Sequence, residues 1–234
     1  MKKVVLSMVA VFALTGGIKA GGDIAPVLPA PMDSWSGFYV GIQSGGIWGD
    51  ADVDYKTLKH NFGFNTTKGL DLNGFIGGIY GGYNWLLEND WLVGIEGEWN
   101  YVSADDTGPI TNTPGWATKL EQNWDASLRL RAGKVMGDSL LYVTGGVAWG
   151  SFDLDAYDSA NPADGFHGNY TLTGWTLGAG LEYKLTENIH ARIQYRYTDY
   201  GDDTKRIASN PPNFIDAKLD YDAHMVTVGI SYRF

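Results

Sequence analysis

The sequence predicts an all-β fold, an eight-stranded antiparallel transmembrane β-barrel with short periplasmic turns and long extracellular loops. Three observations predict it. From Ser36 onward, apolar and polar residues alternate with a period of two, which places successive side chains on opposite faces of a strand. The segments between these stretches are long and short in turn, as in outer-membrane barrels. Aromatic residues, 14% of the chain, gather near both ends of the stretches, as expected at two membrane interfaces.

The N-terminus predicts export. Residues 1–20 combine a basic start, an apolar run over residues 4–14 and a small-residue exit at Ala20, which is the pattern of a secretory signal peptide. The apolar run is too short to cross a bilayer as a helix. Residues 21–35 hold three of the eight prolines and are expected to form a periplasmic linker. Residues 36–234 then form the barrel.

Composition excludes several classes of protein. The chain has 17 Lys and Arg against 27 Asp and Glu, a net charge of −10, which argues against nucleic acid as a partner. With no cysteine, it has neither a disulfide framework nor a thiolate metal site. The 32 glycines indicate turns, bulges and closely approaching backbones.

The first strand is expected at residues 37–49, where Phe38, Val40, Ile42 and Trp48 share one face. The second is expected between residues 70 and 86. This stretch is apolar on both faces and dense in glycine, so its inward face stays undetermined and a bulge within it is expected.

Each of six further stretches has one mainly apolar face. In chain order the members of these faces are Trp91, Val93, Ile95, Trp99 and Tyr101; Trp124, Ala126, Leu128, Leu130 and Ala132; Leu141, Val143, Val147 and Trp149; Trp175, Leu177, Ala179, Leu181 and Tyr183; Ile189, Ala191, Ile193, Tyr195 and Tyr197; and His224, Val226, Val228, Ile230, Tyr232 and Phe234. The opposite faces carry Gly, Thr, Arg and Glu. An apolar exterior around a polar interior satisfies both faces in a membrane.

The connections alternate in length. Short ones are expected at 87–90, 135–138 and 185–188, and long ones at 50–68, 103–117, 153–169 and 199–220. All five prolines outside the linker fall in the long connections, as expected of a residue that cannot donate to a strand ladder. The even number of strands places both chain ends on the periplasmic side.

A soluble eight-stranded barrel of lipocalin type, or a sandwich, is the alternative fold. It would reverse the faces, with the tryptophan-rich face as the core and Arg129 and Arg131 in water. The alternation of loop lengths and the two aromatic belts favour the membrane barrel.

The stretches "LVGIEGEWNY", "LRLRAGKV", "LLYVTGGVAWG", "GWTLGAGLEYKL", "ARIQYRYTDYG" and "VGISYRF" carry a family resemblance. Over residues 36–234 the chain resembles the small outer-membrane β-barrel family of alphaproteobacteria, whose members include surface antigens, porin-like proteins and hemin-binding proteins. The resembling blocks describe strands and say little about loops.

The C-terminus matches a further feature of such barrels. They generally end in an aromatic residue preceded by alternating apolar positions, a pattern that the barrel assembly machinery recognises. Ile230, Tyr232 and Phe234 match that pattern, so the resemblance implies that they form the assembly signal.

The predicted interior is strongly charged. We call its nine ionisable members the lumen charge network: Glu96, Glu98, Asp125, Arg129, Arg131, Glu182, Arg192, Arg196 and Arg233. An eight-stranded barrel is only wide enough for side chains to fill, and unpaired buried ions are costly. A salt-bridged plug is therefore expected, with a narrow water path as the alternative.

No catalytic constellation emerges from the sequence, so the protein is not expected to be an enzyme. Asp222 and His224 could imitate the acid and histidine of barrel proteases, but those enzymes need a longer barrel. Tyr55, His60 and His167 lie in predicted long loops and are the candidate hemin ligands, because the resembling family includes hemin-binding members. No other cofactor and no metal site are expected.

These expectations combine into a multi-pass protein of the Gram-negative outer membrane that contributes to envelope integrity and surface interaction. Porin-like passage of small solutes, or hemin binding at the cell surface, is the alternative function. The expected partners are outer-membrane lipid, lipopolysaccharide and the barrel assembly machinery, with hemin and host surface molecules as further candidates.

Overall fold

The computed structural model describes residues 35–57, 67–110, 115–210 and 213–234. They form eight strands: β1 (Gly37–Thr57), β2 (Thr67–Leu86), β3 (Trp91–Pro109), β4 (Trp116–Met136), β5 (Ser139–Asp158), β6 (Asn161–Lys184), β7 (Ile189–Asn210) and β8 (Asn213–Arg233). A single turn of 3₁₀ helix, Glu88–Asp90, joins β2 to β3. Within the described ranges, no helix has the length and apolar character needed to cross a membrane. The predicted signal peptide lies outside these ranges, as does the predicted linker except for Trp35.

Every strand pairs with the next in antiparallel fashion, and β8 returns to β1 to close the barrel. The closing pair is unbroken from Tyr39 opposite Arg233 to Thr57 opposite Ile215. Closure satisfies the backbone hydrogen-bond donors and acceptors along the edges of β1 and β8, which lipid could not satisfy. The predicted fold class is confirmed.

The three short turns lie where the sequence predicts them. Gly137, between β4 and β5, has a φ of 63°, a left-handed conformation that glycine adopts without strain. Asn89 and Asp90, between β2 and β3, also have positive φ, which short polar side chains tolerate best after glycine.

The long connections are predicted too long. Strand pairing continues through most of 50–68, 103–117, 153–169 and 199–220. Pro109 is the last residue of β3 and Pro162 the second residue of β6, so both stand at strand ends, where a missing N–H is tolerated. The prediction failed because these segments also alternate, but with the faces reversed. Pro114, Pro211 and Pro212 lie outside the described residues.

The periplasmic half of the barrel is apolar outside and polar inside. Leu130 is 70% exposed, whereas its neighbours Arg129 and Arg131 are buried. In β2, Phe75, Ile79 and Trp85 point outward, which settles the undetermined face. The bulge expected within this stretch is wrong, since β1 and β2 pair without interruption from Asn84 to Leu70, and the irregularity lies beyond Ala51.

The extracellular half has the opposite polarity. Its interior is an apolar core made of Ile47, Ala51, Val53, Leu70, Leu72, Ile76, Val102, Ala104, Ile110, Leu120, Ala148, Phe152, Leu154, Ala156, Tyr170, Leu172, Tyr200, Ala217, Leu219, Tyr221, Ala223 and Met225. Its exterior carries acids, as in β1, where Asp50, Asp52 and Asp54 alternate with buried Ala51 and Val53. We call this half the extracellular extension.

The reversal follows from the solvent outside the wall. Strands of 19 to 24 residues are roughly 60–80 Å long at about 3.3 Å per residue, whereas the lipid-facing band of such barrels is about 25 Å tall even with tilted strands. The upper part of the barrel therefore stands in water, and its apolar residues must turn inward. In β4, the inward residues have odd numbers in the membrane half and even numbers in the extracellular extension, and one irregularity beside Asn123 makes the change.

The soluble alternative is wrong for the membrane half. The large apolar side chains of that half point outward, including Phe38, Ile42, Leu130 and Val143. A contiguous apolar band of this kind requires lipid around it.

Candidate functional site

The structure places all nine members of the lumen charge network inside the periplasmic half of the barrel. Each is buried, with at most 7% of its surface exposed. They come from β3, β4, β6, β7 and β8, and each points inward because it alternates with lipid-facing neighbours. Residues up to 137 positions apart in the chain thus share one interior.

Glu96 is the centre of the network. One carboxylate oxygen accepts a hydrogen bond from Arg129 Nη2 at 2.6 Å, and the other accepts from Arg192 Nη1 at 2.8 Å and from the Tyr39 hydroxyl at 2.7 Å. Arg131 Nη1 lies 3.6 Å away. Three arginines around one buried carboxylate stabilise its charged form.

Glu98 and Asp125 extend the network toward the extracellular side. Glu98 forms ion pairs of 2.6 Å with Arg129 Nη2 and with Arg196 Nη1. Asp125 pairs with Arg196 through Nη2 and accepts a hydrogen bond from Tyr200 at 2.6 Å. Tyr200 belongs to the apolar core, so this hydrogen bond joins the charged layer to the apolar layer above it.

Glu182 anchors the periplasmic end. It pairs with Arg131 Nη2 at 2.8 Å and with Arg233 Nη2 at 2.6 Å. Arg233 also donates from Nη1 to the Trp35 carbonyl oxygen at 2.8 Å. The Trp35 ring packs edge-on against His190, with centroids 4.7 Å apart.

Trp35 therefore closes the periplasmic mouth of the barrel. Its side chain is only 2% exposed and clusters with Leu92, Leu140 and Tyr142. Trp35, the last residue of the predicted linker, therefore packs against the inside of the barrel. The sequence signal for this role was its position immediately before the first strand.

Several uncharged residues also contribute to the lumen contacts, and they were not predicted because the lumen charge network was defined by charge alone. Gln43 accepts a hydrogen bond from Arg192 Nη2 at 2.6 Å and donates to Asn100 at 2.7 Å. The guanidinium carbon of Arg192 lies 3.3 Å from the Tyr80 ring centroid, and that of Arg131 lies 4.1 Å from the Tyr142 ring centroid, the geometry of cation–π contacts. The sequence feature that could have identified these residues is their position on the inward face of each strand.

The hemin candidates are not brought together among the residues that the structure describes. His60 lies outside them, and of Tyr55 only the strand position in β1 is described. His167 is exposed on β6, and its Nδ1 lies 2.6 Å from Asp155 Oδ1, a hydrogen bond that raises the His167 pKa. Over the described ranges, no group of three His, Cys, Asp or Glu is arranged to hold a metal ion. Hemin binding stays a prediction.

His224 lies on the outer face of β8. Its Nδ1 is 2.7 Å from the Tyr195 hydroxyl, and its ring stacks on Trp48. This aromatic surrounding suits an interface position.

The C-terminal residues face outward. Ile230, Tyr232 and Phe234 are exposed, Phe234 by 68%, and the Tyr232 and Phe234 rings meet edge-on with centroids 5.1 Å apart. The Phe234 amide donates to the Phe38 carbonyl oxygen at 3.0 Å. The end of the chain is therefore held in register with the first strand.

A row of four carboxylates crosses the outer face just above Trp48. Asp71, Asp50, Asp222 and Asp199 are successive register neighbours on β2, β1, β8 and β7. Directly opposed like charges destabilise a strand pair. The hydrogen bond between Asp71 and Asp50, together with the Asp50 charge, raises the pKa of Asp71.

Comparison with known proteins agrees with this geometry. Residues 20–234 match the family model described as an outer membrane protein beta-barrel domain. The chain is 32% identical over 247 residues to the 31 kDa outer-membrane immunogenic protein of Brucella melitensis, with 100% of both chains covered. It is 34% identical to the 22 kDa outer membrane protein of Rhizobium leguminosarum, over 90% of this chain and 82% of that one.

Among solved structures, the outer membrane protein OprG of Pseudomonas aeruginosa superimposes with a TM-score of 0.52 at 18% identity. The match covers 85% of this chain and 97% of OprG. At this identity the likeness supports the fold alone.

Proposed function

Because this chain belongs to the outer-membrane protein β-barrel family, we propose that it is a closed, non-conducting barrel that supports envelope integrity and presents an acidic surface outside the cell. Its place in the outer membrane follows from the family and from its relatives. The finer role is our inference from the interior and the surface.

The observation that carries the proposal is the filled lumen. From the periplasmic side upward, the interior consists of the Trp35 cluster, the lumen charge network and the apolar core, all buried. Ions crossing the barrel would have to break several charge-assisted pairs and then enter an apolar layer, which is strongly unfavourable. The interior is suited to rigidity and register rather than to passage.

The outer surface supports stable residence in lipid. Two levels of exposed aromatic side chains lie at the expected interfaces. The periplasmic level contains Trp85, Trp91, Tyr183, Tyr232 and Phe234, and the outer level contains Trp48, Trp99, Tyr101 and Trp175. Outer-membrane lipid and lipopolysaccharide are the partners that such a surface fits.

The acidic extension supports surface interaction. The acids on the outer face of β1, β7 and β8 stand above the outer aromatic level, where they meet the aqueous exterior. Relatives are named immunogenic outer-membrane proteins, and we propose that this face is likewise presented at the cell surface. Because these relatives are named for their place in the membrane and their immunogenicity, the function that we propose is structural.

Porin-like passage is the competing function, and planar-bilayer recording separates the two. The refolded mature chain should give no steady single-channel steps. Ser127→Trp, which adds bulk to the lumen beside Arg196, is the comparison. Steady steps in the wild type that vanish in this variant would overturn the closed barrel.

The envelope role is tested by deleting the gene in its native bacterium. The deletion should increase entry of large antibiotics, and the wild-type gene should restore the barrier. Unchanged entry in the deletion strain would contradict a role in envelope integrity while leaving the closed lumen untouched.

A further inference from the structure

A patch of unsatisfied donors lies on the lumen wall formed by β4 and β5. Arg129 Nε, Arg129 Nη1, Arg131 Nε and the Thr144 hydroxyl are buried and make no hydrogen bond to any part of the protein that the structure describes. Buried polar groups are almost always satisfied, and leaving several guanidinium N–H groups unpaired is costly. The described part of the protein therefore leaves four buried donors available to a ligand.

The register brings the three residues that carry these atoms close together on the two strands. Arg131 stands directly opposite Thr144, and Arg129 stands opposite Gly146, two residues further along the same pair of strands. Diagonal neighbours of this kind lie within reach of long side chains. On the far side of Thr144, Gly178 presents no side chain, and a Cβ there would lie 2.8 Å from Thr144 Oγ1.

The electrostatics of the lumen select the sign of the partner. Among the described lumen side chains, the five arginines Arg129, Arg131, Arg192, Arg196 and Arg233 face the four carboxylates Glu96, Glu98, Asp125 and Glu182. One positive charge of these nine side chains is therefore uncompensated. An uncompensated charge in a closed interior is strongly unfavourable.

We propose that this patch binds one small inorganic anion of the chloride class, held by Arg129, Arg131 and Thr144. An anion satisfies the free N–H and O–H donors and balances the lumen charge at the same time. A water molecule would satisfy the hydrogen bonds but leave the charge. Anion binding is a property that the proposed closed-barrel function does not include. The anion enters during folding or by slow exchange, so binding does not require the barrel to conduct ions.

Strands β7 and β8 supply a matched control. Arg192 Nε and the Thr227 hydroxyl are also buried without a hydrogen-bond partner among the described residues. Thr227 stands opposite Gln194, two residues from Arg192, on β7 and β8. This pair offers one guanidinium donor instead of three, so it is a weaker anion site with the same hydroxyl chemistry.

The test uses the full mature chain refolded in detergent micelles, with sodium chloride or bromide replacing sodium gluconate at constant ionic strength. The Arg129 and Arg131 Nε–H resonances should shift with saturation in the halide titration. Thr144→Val should weaken halide binding about tenfold, the effect of one lost charge-assisted hydrogen bond, whereas Thr227→Val should leave it unchanged. Equal effects of both variants, or resonances that do not respond to halide, would overturn the site.

A second measurement does not depend on any variant. Crystals grown in bromide should show an anomalous peak within hydrogen-bond distance of Arg129 Nε, and a lumen without such a peak would contradict the proposal.

Conductance measurements distinguish a failure of this inference from a failure of the proposed function. Halide binding without single-channel steps supports both, whereas steps with no halide site would overturn both.

Discussion

Arg192 on β7 donates from Nη1 to Glu96 Oε2 on β3 at 2.8 Å, although the two residues are 96 positions apart in the chain. With eight strands in the ring, β3 and β7 are opposite walls. The contact therefore spans the lumen and fixes the diameter of the barrel. Because three arginines converge on Glu96, its charge organises the interior.

Glu96→Gln should destabilise the barrel by about 3 kcal/mol, because removing one partner of a buried ion pair leaves the others uncompensated. Urea unfolding of the protein refolded in lipid vesicles measures the free energy of unfolding. Glu187→Gln is the control. Glu187 is exposed, its nearest oxygen lies 3.7 Å from Lys184 Nζ, and surface ion pairs of this kind contribute little to stability. Equal losses in the two variants would remove the central role given to Glu96.

Trp35→Ala should cost about 3 kcal/mol, because Trp35 is buried and its loss leaves a cavity at the periplasmic mouth. Trp91→Ala is the matched control, since Trp91 is 54% exposed at the same end of the barrel. The unfolding free energy and acrylamide quenching of tryptophan fluorescence measure the change. A Trp35 that is quenched as readily as Trp91 in single-tryptophan chains would show that the mouth is open.

Phe234→Ser should reduce assembly in cells several-fold while changing the stability of the refolded barrel by less than about 1 kcal/mol. The side chain is exposed, and the variant keeps the backbone hydrogen bond to Phe38. Membrane levels and heat-modifiable gel mobility report assembly, and urea unfolding reports stability. Phe38→Ser, which removes an aromatic of similar exposure, is the control. Normal membrane levels of Phe234→Ser would exclude an assembly signal at the terminus.

Phe152→Ala should loosen the extracellular extension and leave the membrane half intact. Phe152 is fully buried, with its ring 4.9 Å from that of Tyr221, so truncation should cost about 3–5 kcal/mol. Hydrogen exchange should accelerate in the extracellular part of β5 and β6 and not near the short turns. Phe75→Ala, on the lipid-facing side of β2, should not produce this pattern. Uniform acceleration along the strands would show that the two halves unfold together.

Asp50→Asn should lower the pKa of Asp71 toward its ordinary value. In the folded protein Asp50 raises that pKa, so the folded state holds the Asp71 proton more tightly than the unfolded chain does. This contribution to stability is present below the ordinary pKa of 3.8 and is lost as the pH rises through the raised value. Carbon NMR titration of the Asp71 carboxyl measures the shift. Asp54→Asn removes the same charge from the same face of β1, and an equal shift in that variant would contradict a specific Asp50 contact.

The inward positions of the charged residues could be read from the sequence. Arg129 and Arg131 alternate with Leu128 and Leu130, so the period of a strand places the two arginines on one face. The aromatic belts and the alternation of loop lengths then favoured that face as the interior of a membrane barrel. The short turns were equally clear, because only Gly137 and its neighbours interrupt the alternation between β4 and β5.

The extracellular extension could not be read in the same way. Its residues Asp50 to Asp54 alternate as strictly as the membrane strands do, but a pattern of alternation does not say which face meets lipid and which meets water. That depends on height above the bilayer, and the irregularity beside Asn123 changes the inward face of β4 without any mark in the alternating positions.

By itself the sequence determined a closed, eight-stranded barrel of the outer membrane, because periodicity, short turns and aromatic placement are local properties of the chain. The tertiary structure alone decided which partners meet. Glu96 contacts Arg192, Trp35 closes the mouth beneath Arg233, and two donors of Arg129 meet no partner among the described residues. Those contacts depend on the stagger of eight strands around a common axis, and no local pattern carries that information.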